Sequence, residues 1–198
     1  MPANPENAAP ARQRILDTAD RLFYGEGLRA TGIDRIIAES GVAKMTFYRH
    51  FPAKRDLIVA FLESRRKEWI DWFRAEVDGR LRKRGAGLEV IADALEAWFA
   101  WSDFRGCTFV NSVAEGAHGE APIARVVADH RTDLAVYIEE LANRLELSRP
   151  RQVAEAVMVV IEGSVVRAQM TGRHGDPSIG RLLLRSVARE FSRTTQKR

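Results

Sequence analysis

The stretch GVAKMTFYRHFPAKRDL, residues 41–57, decides how the N-terminal part of this 198-residue chain folds. Its first fifteen residues carry four Lys or Arg residues and no acidic residue, and aromatic residues are interleaved with them. Gly41 stands where a helix can end, and isoleucines upstream of it recur at helical spacing. The sequence therefore predicts two short helices, over 33–40 and 44–50, joined by a tight turn.

Two short helices joined by a turn of three or four residues that contains glycine form the helix-turn-helix pattern. The second helix of such a pair can enter the major groove of DNA. Val42, Phe47 and Phe51 are predicted to face inward and to hold this helix in place. The residues left facing outward are Lys44, Met45, Thr46, Tyr48, Arg49 and His50.

The chemistry of these outward residues suits a DNA groove. Arg and Lys side chains bind guanine edges or neutralise phosphates, and Thr and Tyr hydroxyls donate to phosphate oxygens. Lys54 begins the helix after Pro52, where free backbone N–H groups favour an anion. Thr31 precedes the first short helix and is predicted to cap it and to touch phosphate. A cluster of four cations is often only a solvated helix face, but here the glycine turn and the aromatic residues favour a DNA-binding surface.

The remainder of the chain also predicts helices, because apolar residues recur at helical spacing almost everywhere and no strand pattern is present. The expected fold is all-α, with about nine helices. A three-helix N-terminal domain with the helix-turn-helix is followed by a larger helical bundle. The expected division is a disordered tail over 1–10, a DNA-binding domain over 11–56, and a ligand-binding and dimerisation domain over 57–198.

Composition narrows the class of protein. Apolar residues make up 45% and charged residues 29%, as in globular proteins, and no apolar run approaches the length of a membrane span. The first ten residues lack the basic start and apolar core of a signal peptide, and the single cysteine, Cys107, fits a reducing cytoplasm. Motifs of zinc proteases, serine hydrolases and nucleotide-binding enzymes are absent, and the four histidines lack metal-ligand spacing. We therefore expect a cytoplasmic protein that is not an enzyme and needs no cofactor.

Residues 31–58, TGIDRIIAESGVAKMTFYRHFPAKRDLI, resemble the signature of the TetR family of one-component transcriptional regulators. The matching features are the G-V turn at 41–42, Thr46 with the aromatic pair that follows it, and F-P-x-K ahead of a leucine. The resemblance implies a homodimer, usually a repressor, which binds a double-stranded DNA operator and is released by a small molecule held in the C-terminal domain. It also places the six outward residues on the recognition helix and makes Lys54 a phosphate contact.

One position departs from the family pattern. Many members carry Thr or Ser where this chain has Gly32, so the predicted phosphate contact of the first short helix depends on Thr31 and the backbone. A looser match covers RGCTFVNSVAE, residues 105–115, which is similar to a stretch in the ligand domains of some members. A two-fold dimer presents two recognition helices about one DNA turn apart, roughly 34–36 Å, so the operator is expected to be a near-palindrome.

Aromatic residues crowd into two helices and the segment after them, in numbers beyond what a bundle of this size needs. Pockets between helices are typically apolar with a few polar groups, so a small hydrophobic or aromatic effector is expected. The candidate pocket residues are Trp69, Trp72, Phe73, Trp98, Phe99, Trp101, Phe104, Phe109 and Asn111. Further polar candidates are Glu96, Ser112, Glu115 and His118. Packing in an ordinary core is the alternative for each aromatic residue.

The helix predicted at about 151–171 is apolar on nearly every side, which is typical of a helix buried all round. In a chain of this size, the second burying surface is expected to be another subunit, contacted by this helix and by the last one, from 177 to about 193. Glu162 is expected either to pair across that interface with Arg167 or Arg185, or to mark an exposed stripe. The predicted interface residues are Val157, Val160, Ile161, Ser164, Val165, Ala168, Leu182, Leu183 and Val187.

The uneven distribution of charge along the sequence suggests two surfaces with different partners. Residues 86–180 carry eight basic and fourteen acidic side chains, in contrast to the basic helix-turn-helix stretch. The alternative to a DNA-binding regulator is a helical ligand-binding or scaffold protein that does not bind DNA. The residues themselves fix neither repression nor activation.

Overall fold

The computed structural model describes residues 10–83, 85–116, 119–172 and 177–192 of the chain. Within these ranges the backbone forms nine α-helices and no strand, so the predicted all-α fold is confirmed. None of the described helices is both long and apolar enough to span a membrane. The helices are α1 (Ala11–Glu26), α2 (Ile33–Ser40), α3 (Lys44–His50), α4 (Lys54–Leu81), α5 (Val90–Phe99), α6 (Thr108–Ala114), α7 (Ala121–Arg144), α8 (Pro150–Thr171) and α9 (Pro177–Glu190).

Local sequence signals account for where several helices begin. Pro150 is the first residue of α8, a position where its missing N–H costs no hydrogen bond. α4 begins directly after Ala53, whose N–H donates to Asp56 Oδ2 at 3.0 Å, as one half of a capping box does. The tail predicted over 1–10 lies outside the described residues except for Pro10, which precedes α1.

Backbone contacts divide the chain into two compact units. Unit 1 comprises Met1–Arg66 and Cys107–Ala128, and unit 2 comprises Lys67–Gly106 and Asp129–Arg198. Unit 1 is larger than the DNA-binding domain predicted over 11–56, because the first half of α4 and all of α6 pack with the three N-terminal helices. The functional division after residue 56 stays a prediction.

The core of unit 1 forms along the amphipathic helix α1. The Phe23 ring of α1 packs against Phe61 of α4 with ring centroids 5.4 Å apart, and Phe109 of α6 joins the same core. Fully burying one such side chain contributes about 1.5–3 kcal/mol. Helices as short as α2, α3 and α6 are marginal alone, so this shared core keeps them folded. The buried residues of α1 are the predicted stripe, Ile15, Ala19, Leu22 and Phe23.

Unit 2 is a helical bundle built from α5, α8, α9 and the remaining parts of α4 and α7. α5 and α8 bury apolar residues at helical spacing, among them Leu95 and Ile161. Arg181 of α9 donates from Nε to Asp93 Oδ1 at 2.5 Å and from Nη2 to Glu96 Oε2 at 2.8 Å. These two contacts hold α9 against α5.

Candidate nucleic-acid interface

The turn between α2 and α3 sets the direction of α3. α2 ends at Ser40, and Gly41 adopts a left-handed conformation with φ of 63°, which glycine reaches without a Cβ clash. Val42 is buried after the turn, and α3 begins at Lys44. The structure therefore contains the predicted pair of short helices joined by a glycine turn.

Phe47 separates the two faces of α3. Its side chain is 0% exposed and lies in the core of unit 1, where its ring centroid is 6.2 Å from that of Phe51. The predicted inward set is confirmed, since Val42 and Phe51 are buried as well. Held by this one buried aromatic side chain, the seven-residue helix leaves four of its other side chains exposed.

The outward face of α3 combines cations with an aromatic and an apolar side chain. Met45 is 82% exposed and Tyr48 is 38% exposed, while Lys44 and Arg49 are also classed as exposed. The Tyr48 ring meets Phe47 edge-on, with centroids 5.4 Å apart, so the core orients it. The other two predicted residues, Thr46 and His50, are half-buried. The contact of these six residues with DNA stays a prediction.

Only a weak internal contact holds the exposed cation at the start of α3. Lys44 Nζ lies 3.5 Å from Asp34 Oδ1, and both side chains are mostly exposed. Such exposed pairs contribute about 0–1 kcal/mol, so a phosphate can replace the carboxylate at small cost.

Arg35 on α2, by contrast, is committed to internal partners. Its Nη2 donates to Glu26 Oε1 at 2.9 Å and its Nε donates to Glu39 Oε1 at 2.6 Å. The hydrogen bond to Glu26, followed by that to Glu39, raises the pKa of Arg35. Arg21 on α1 also binds Glu39. These contacts tie α2 to α1.

Lys54 occupies the predicted position at the first residue of α4. Burial lowers the pKa of its ammonium group, and the negative charge of Glu115 partly offsets this effect. A cation at a helix N-terminus is disfavoured by the helix dipole, so an additional anion at this point is favourable. Both a DNA phosphate and the Glu115 carboxylate meet that need.

Thr31 does not lie on the outward surface. Its side chain is 0% exposed, and its hydroxyl donates to Gly27 O at 2.8 Å, with Leu22 O at 3.3 Å. Gly32 stands at the N-cap of α2, and no side chain caps that helix. The predicted cap and phosphate contact of the Thr31 side chain are therefore wrong, because its hydroxyl is used to tie the α1–α2 loop to the end of α1.

Glu115 was expected among the polar groups of an effector pocket, but it lies elsewhere. It follows α6 directly, and its Oε2 accepts a hydrogen bond from the Arg29 backbone N–H at 2.8 Å. These residues are 86 positions apart. A local sequence pattern cannot predict such a contact. The sequence does show its two parts, Arg29 in the α1–α2 loop and an acid at the end of α6. His118, another polar candidate, lies outside the described residues.

The predicted aromatic cluster is largely present in unit 2. The Trp69 ring stacks on Phe73 with centroids 4.8 Å apart and meets Trp98 edge-on at 5.1 Å. Trp72 meets Trp101 at 4.9 Å, and the remaining members, Phe99 and Phe104, have centroids 5.1 Å apart. The rings thus form one set of mutually packed aromatic side chains.

Two predicted pocket residues belong to unit 1 instead. Phe109 is buried in the core of unit 1, and Asn111 follows it on the same short helix, α6. They were grouped with the tryptophans because they are close in sequence. The first segment of unit 2 ends at Gly106, so α5 and α6 belong to different units.

The exposed apolar surface of unit 2 differs in part from the predicted interface. Val157, Ile161, Val165 and Ala168 are buried within the unit, so they are not available to a partner, which corrects their assignment. Val160, Ser164 and Val187 are half-buried, and Leu182 and Leu183 are exposed. On α8 and α9, the exposed apolar residues outside the predicted interface are Val159, Val166, Met170 and Ile179.

Glu162 lies on an exposed part of α8, as one of its two predicted alternatives states. Its Oε1 is 3.6 Å from Arg131 Nε, so the carboxylate pairs within the subunit. No group of three or more His, Cys, Asp or Glu side chains that could hold a metal ion occurs among the described residues. Cys107 is partly buried against the core of unit 1.

Comparison with known proteins agrees with this geometry. Residues 15–61 match the family model described as bacterial regulatory proteins, tetR family, and this range contains α2 and α3. The HTH-type transcriptional regulator LmrA of Bacillus subtilis (strain 168) is 26% identical over 170 residues, which cover 84% of this chain and 90% of that protein.

Two solved structures extend the similarity to both units. The crystal structure of SCO4454, a TetR-family transcriptional regulator from Streptomyces coelicolor, is 30% identical, with a TM-score of 0.73, over 92% of this chain and 96% of that chain. The structure of sav143, a putative TetR transcriptional regulator from Streptomyces avermitilis, has a TM-score of 0.76 at 23% identity and covers 92% of this chain and 98% of that chain. The second similarity shows the shared fold. On the helix-turn-helix geometry and the 30% identity to SCO4454 over nearly the whole of both chains, the chain belongs to the TetR family of DNA-binding transcriptional regulators.

Proposed function

We propose that this regulator is a homodimeric repressor, which binds a near-palindromic operator through residues 44–50 and is released by a small hydrophobic or aromatic effector. The observation that carries the proposal is the outward face of α3. Phe47 is fully buried, while Lys44, Met45, Tyr48 and Arg49 of the same helix are exposed.

Each exposed residue has a role suited to its chemistry. Arg49 is proposed to read a base edge, since guanidinium groups bind guanine O6 and N7 in two parallel hydrogen bonds. Tyr48 is proposed to donate its hydroxyl to a phosphate, and Lys44 to neutralise one after leaving Asp34. Met45, which is 82% exposed, is proposed to contact a thymine methyl group. Lys54 adds a phosphate contact at the start of α4.

Dimerisation is proposed through the exposed apolar residues of α8 and α9. Val159, Val166 and Met170 recur at helical spacing on α8, and Ile179, Leu182 and Leu183 are exposed on α9. Large exposed apolar patches mark interaction surfaces, and a second copy of the chain offers the same surface in a two-fold arrangement. Val160, Ser164 and Leu183 also line a cleft of about 260 Å³ beside these helices.

The effector is proposed to bind at the aromatic cluster of unit 2. Among the described residues, no hydrogen-bond acceptor serves the buried Nε1–H of Trp69. A buried donor without a partner is costly, so a planar effector that carries an acceptor fits this cluster. Release then follows if the effector prefers the conformation that binds the operator weakly.

Fluorescence anisotropy with duplexes that tile the upstream region of the gene tests the proposal. The parent is expected to bind one duplex tightly, and a Tyr48→Phe, Arg49→Ala double variant is expected to lose that preference. A reporter placed behind the bound duplex then gives the sign of regulation. Equal, weak binding to every duplex by both proteins would favour a ligand-binding protein that does not act on DNA at this locus.

A further inference from the structure

The end of α6 and the loop between α1 and α2 are interlocked. The Arg29 backbone N–H donates to Glu115 Oε2 at 2.8 Å. The guanidinium of the same Arg29 lies over Gly116, where an added Cβ would be only 2.6 Å from Nη2. The loop therefore contacts the end of α6 through its backbone and through its side chain.

Glu115 is electrostatically misplaced unless these partners are present. It lies at the C-terminal end of α6, where the helix dipole disfavours a negative charge. The Arg29 backbone N–H supplies compensating partial positive charge. A carboxylate held by the backbone of the α1–α2 loop links that loop to the end of α6.

The loop that Glu115 contacts leads directly into α2. Thr31 in that loop donates to Gly27 O, and Gly27 N–H in turn donates to Phe23 O at 3.0 Å. α2 starts two residues after Thr31. A shift of the loop consequently moves α2, and α2 carries α3 through the Gly41 turn.

We propose that Glu115 is a positioning residue for DNA binding, which holds the α1–α2 loop by its reach to the Arg29 amide. This inference rests on the proposed DNA-binding function.

The test compares two conservative variants at Glu115, one that changes the charge of the side chain and one that changes its length. Glu115→Gln keeps the length of the side chain and an acceptor oxygen but removes the charge. Glu115→Asp keeps the charge but withdraws the carboxylate by one methylene group. The Asp variant is expected to bind the operator about three- to tenfold more weakly than the Gln variant, the range that one hydrogen bond contributes. Glu63→Gln, an exposed acid on α4 in the same unit, is the matched control and is expected to bind like the parent.

A second readout does not depend on DNA. In hydrogen exchange measured by NMR, the Arg29 amide is expected to exchange faster in the Asp variant than in the Gln variant or the parent. Equal exchange and equal operator affinity in the two variants would overturn the inference. A parent that shows no sequence preference would instead overturn the proposed function, while altered exchange at Arg29 would still establish the link itself.

Discussion

At the scale of single residues, burial assigns a different task to each side of α3. Phe47 has no exposed surface and anchors the helix, whereas Met45 two positions earlier is almost fully solvated. An apolar side chain as exposed as Met45 contributes little to folding and is free to make the proposed contact with DNA. Neighbouring positions of one short helix thus divide a structural role from a proposed recognition role.

Alanine substitutions at these two positions are expected to act on different properties. Phe47→Ala leaves a cavity and should lower the free energy of unfolding by about 3–5 kcal/mol. Met45→Ala should change it by less than about 0.5 kcal/mol, while it weakens operator binding. Urea unfolding followed by circular dichroism, together with anisotropy, measures both quantities. A Met45→Ala variant that loses stability but keeps full operator affinity would contradict the assignment.

At the scale of helices, much of the structure was predictable because it depends on local signals. The glycine turn, Pro150 at the start of α8 and the apolar stripe of α1 are all visible in the sequence. Contacts between residues far apart in the sequence were not predictable in this way. The burial of Thr31 depends on carbonyl groups of α1, and the position of Glu115 depends on a loop 86 residues away. Helix α8 is apolar nearly all round, so its periodicity did not separate the core-facing side from the exposed side.

Replacing either of two glycines by alanine should change the free energy of unfolding, in opposite directions. Gly41 has φ of 63° and open space around a built Cβ, so Gly41→Ala costs only backbone strain, about 1–2 kcal/mol of unfolding free energy. Gly79 lies within α4 without positive φ and also has open space, so Gly79→Ala should stabilise by about 0.5–1 kcal/mol. Thermal unfolding of both variants checks the difference; equal shifts would refute the role of the turn.

The ion pairs between α1 and α2 should give a pH-dependent contribution to stability. Hydrogen bonds from Arg35 and Arg21 lower the pKa values of Glu26 and Glu39 below their usual 4.5. A lowered carboxyl pKa stabilises the fold above pH 4.5 and loses that effect as pH falls through the lowered value. The parent should therefore be more stable than Arg35→Gln at neutral pH, with a difference that shrinks in acid. A difference that stays constant down to about pH 3, well below the usual carboxyl pKa of 4.5, would exclude this mechanism.

At the scale of the whole molecule, the proposed function requires two copies of the chain. A single α3 offers one set of DNA contacts, whereas a two-fold dimer doubles them and selects a near-palindromic operator. The exposed apolar residues of α8 and α9 are proposed to form the two-fold interface. Stability of the dimer and affinity for the operator are consequently coupled.

Leu182→Asp is expected to convert the dimer to a monomer, because it places a charge in the proposed apolar interface. The matched control is Val136→Asp on α7, since Val136 is 46% exposed and Leu182 is 53% exposed. Light scattering after size-exclusion chromatography should give half the parent mass for Leu182→Asp and the parent mass for the control. If all three proteins have the mass of a dimer, the interface lies elsewhere on the chain.

The most direct test of the central claim is the ratio of affinities for the operator duplex and for a scrambled duplex of equal composition. The parent is expected to prefer the operator by at least about 10³-fold, as specific DNA-binding proteins do. The Tyr48→Phe, Arg49→Ala variant should keep its fold and its weak binding to the scrambled duplex, but lose most of this preference. A variant that discriminates as well as the parent would show that the outward face of α3 does not read DNA.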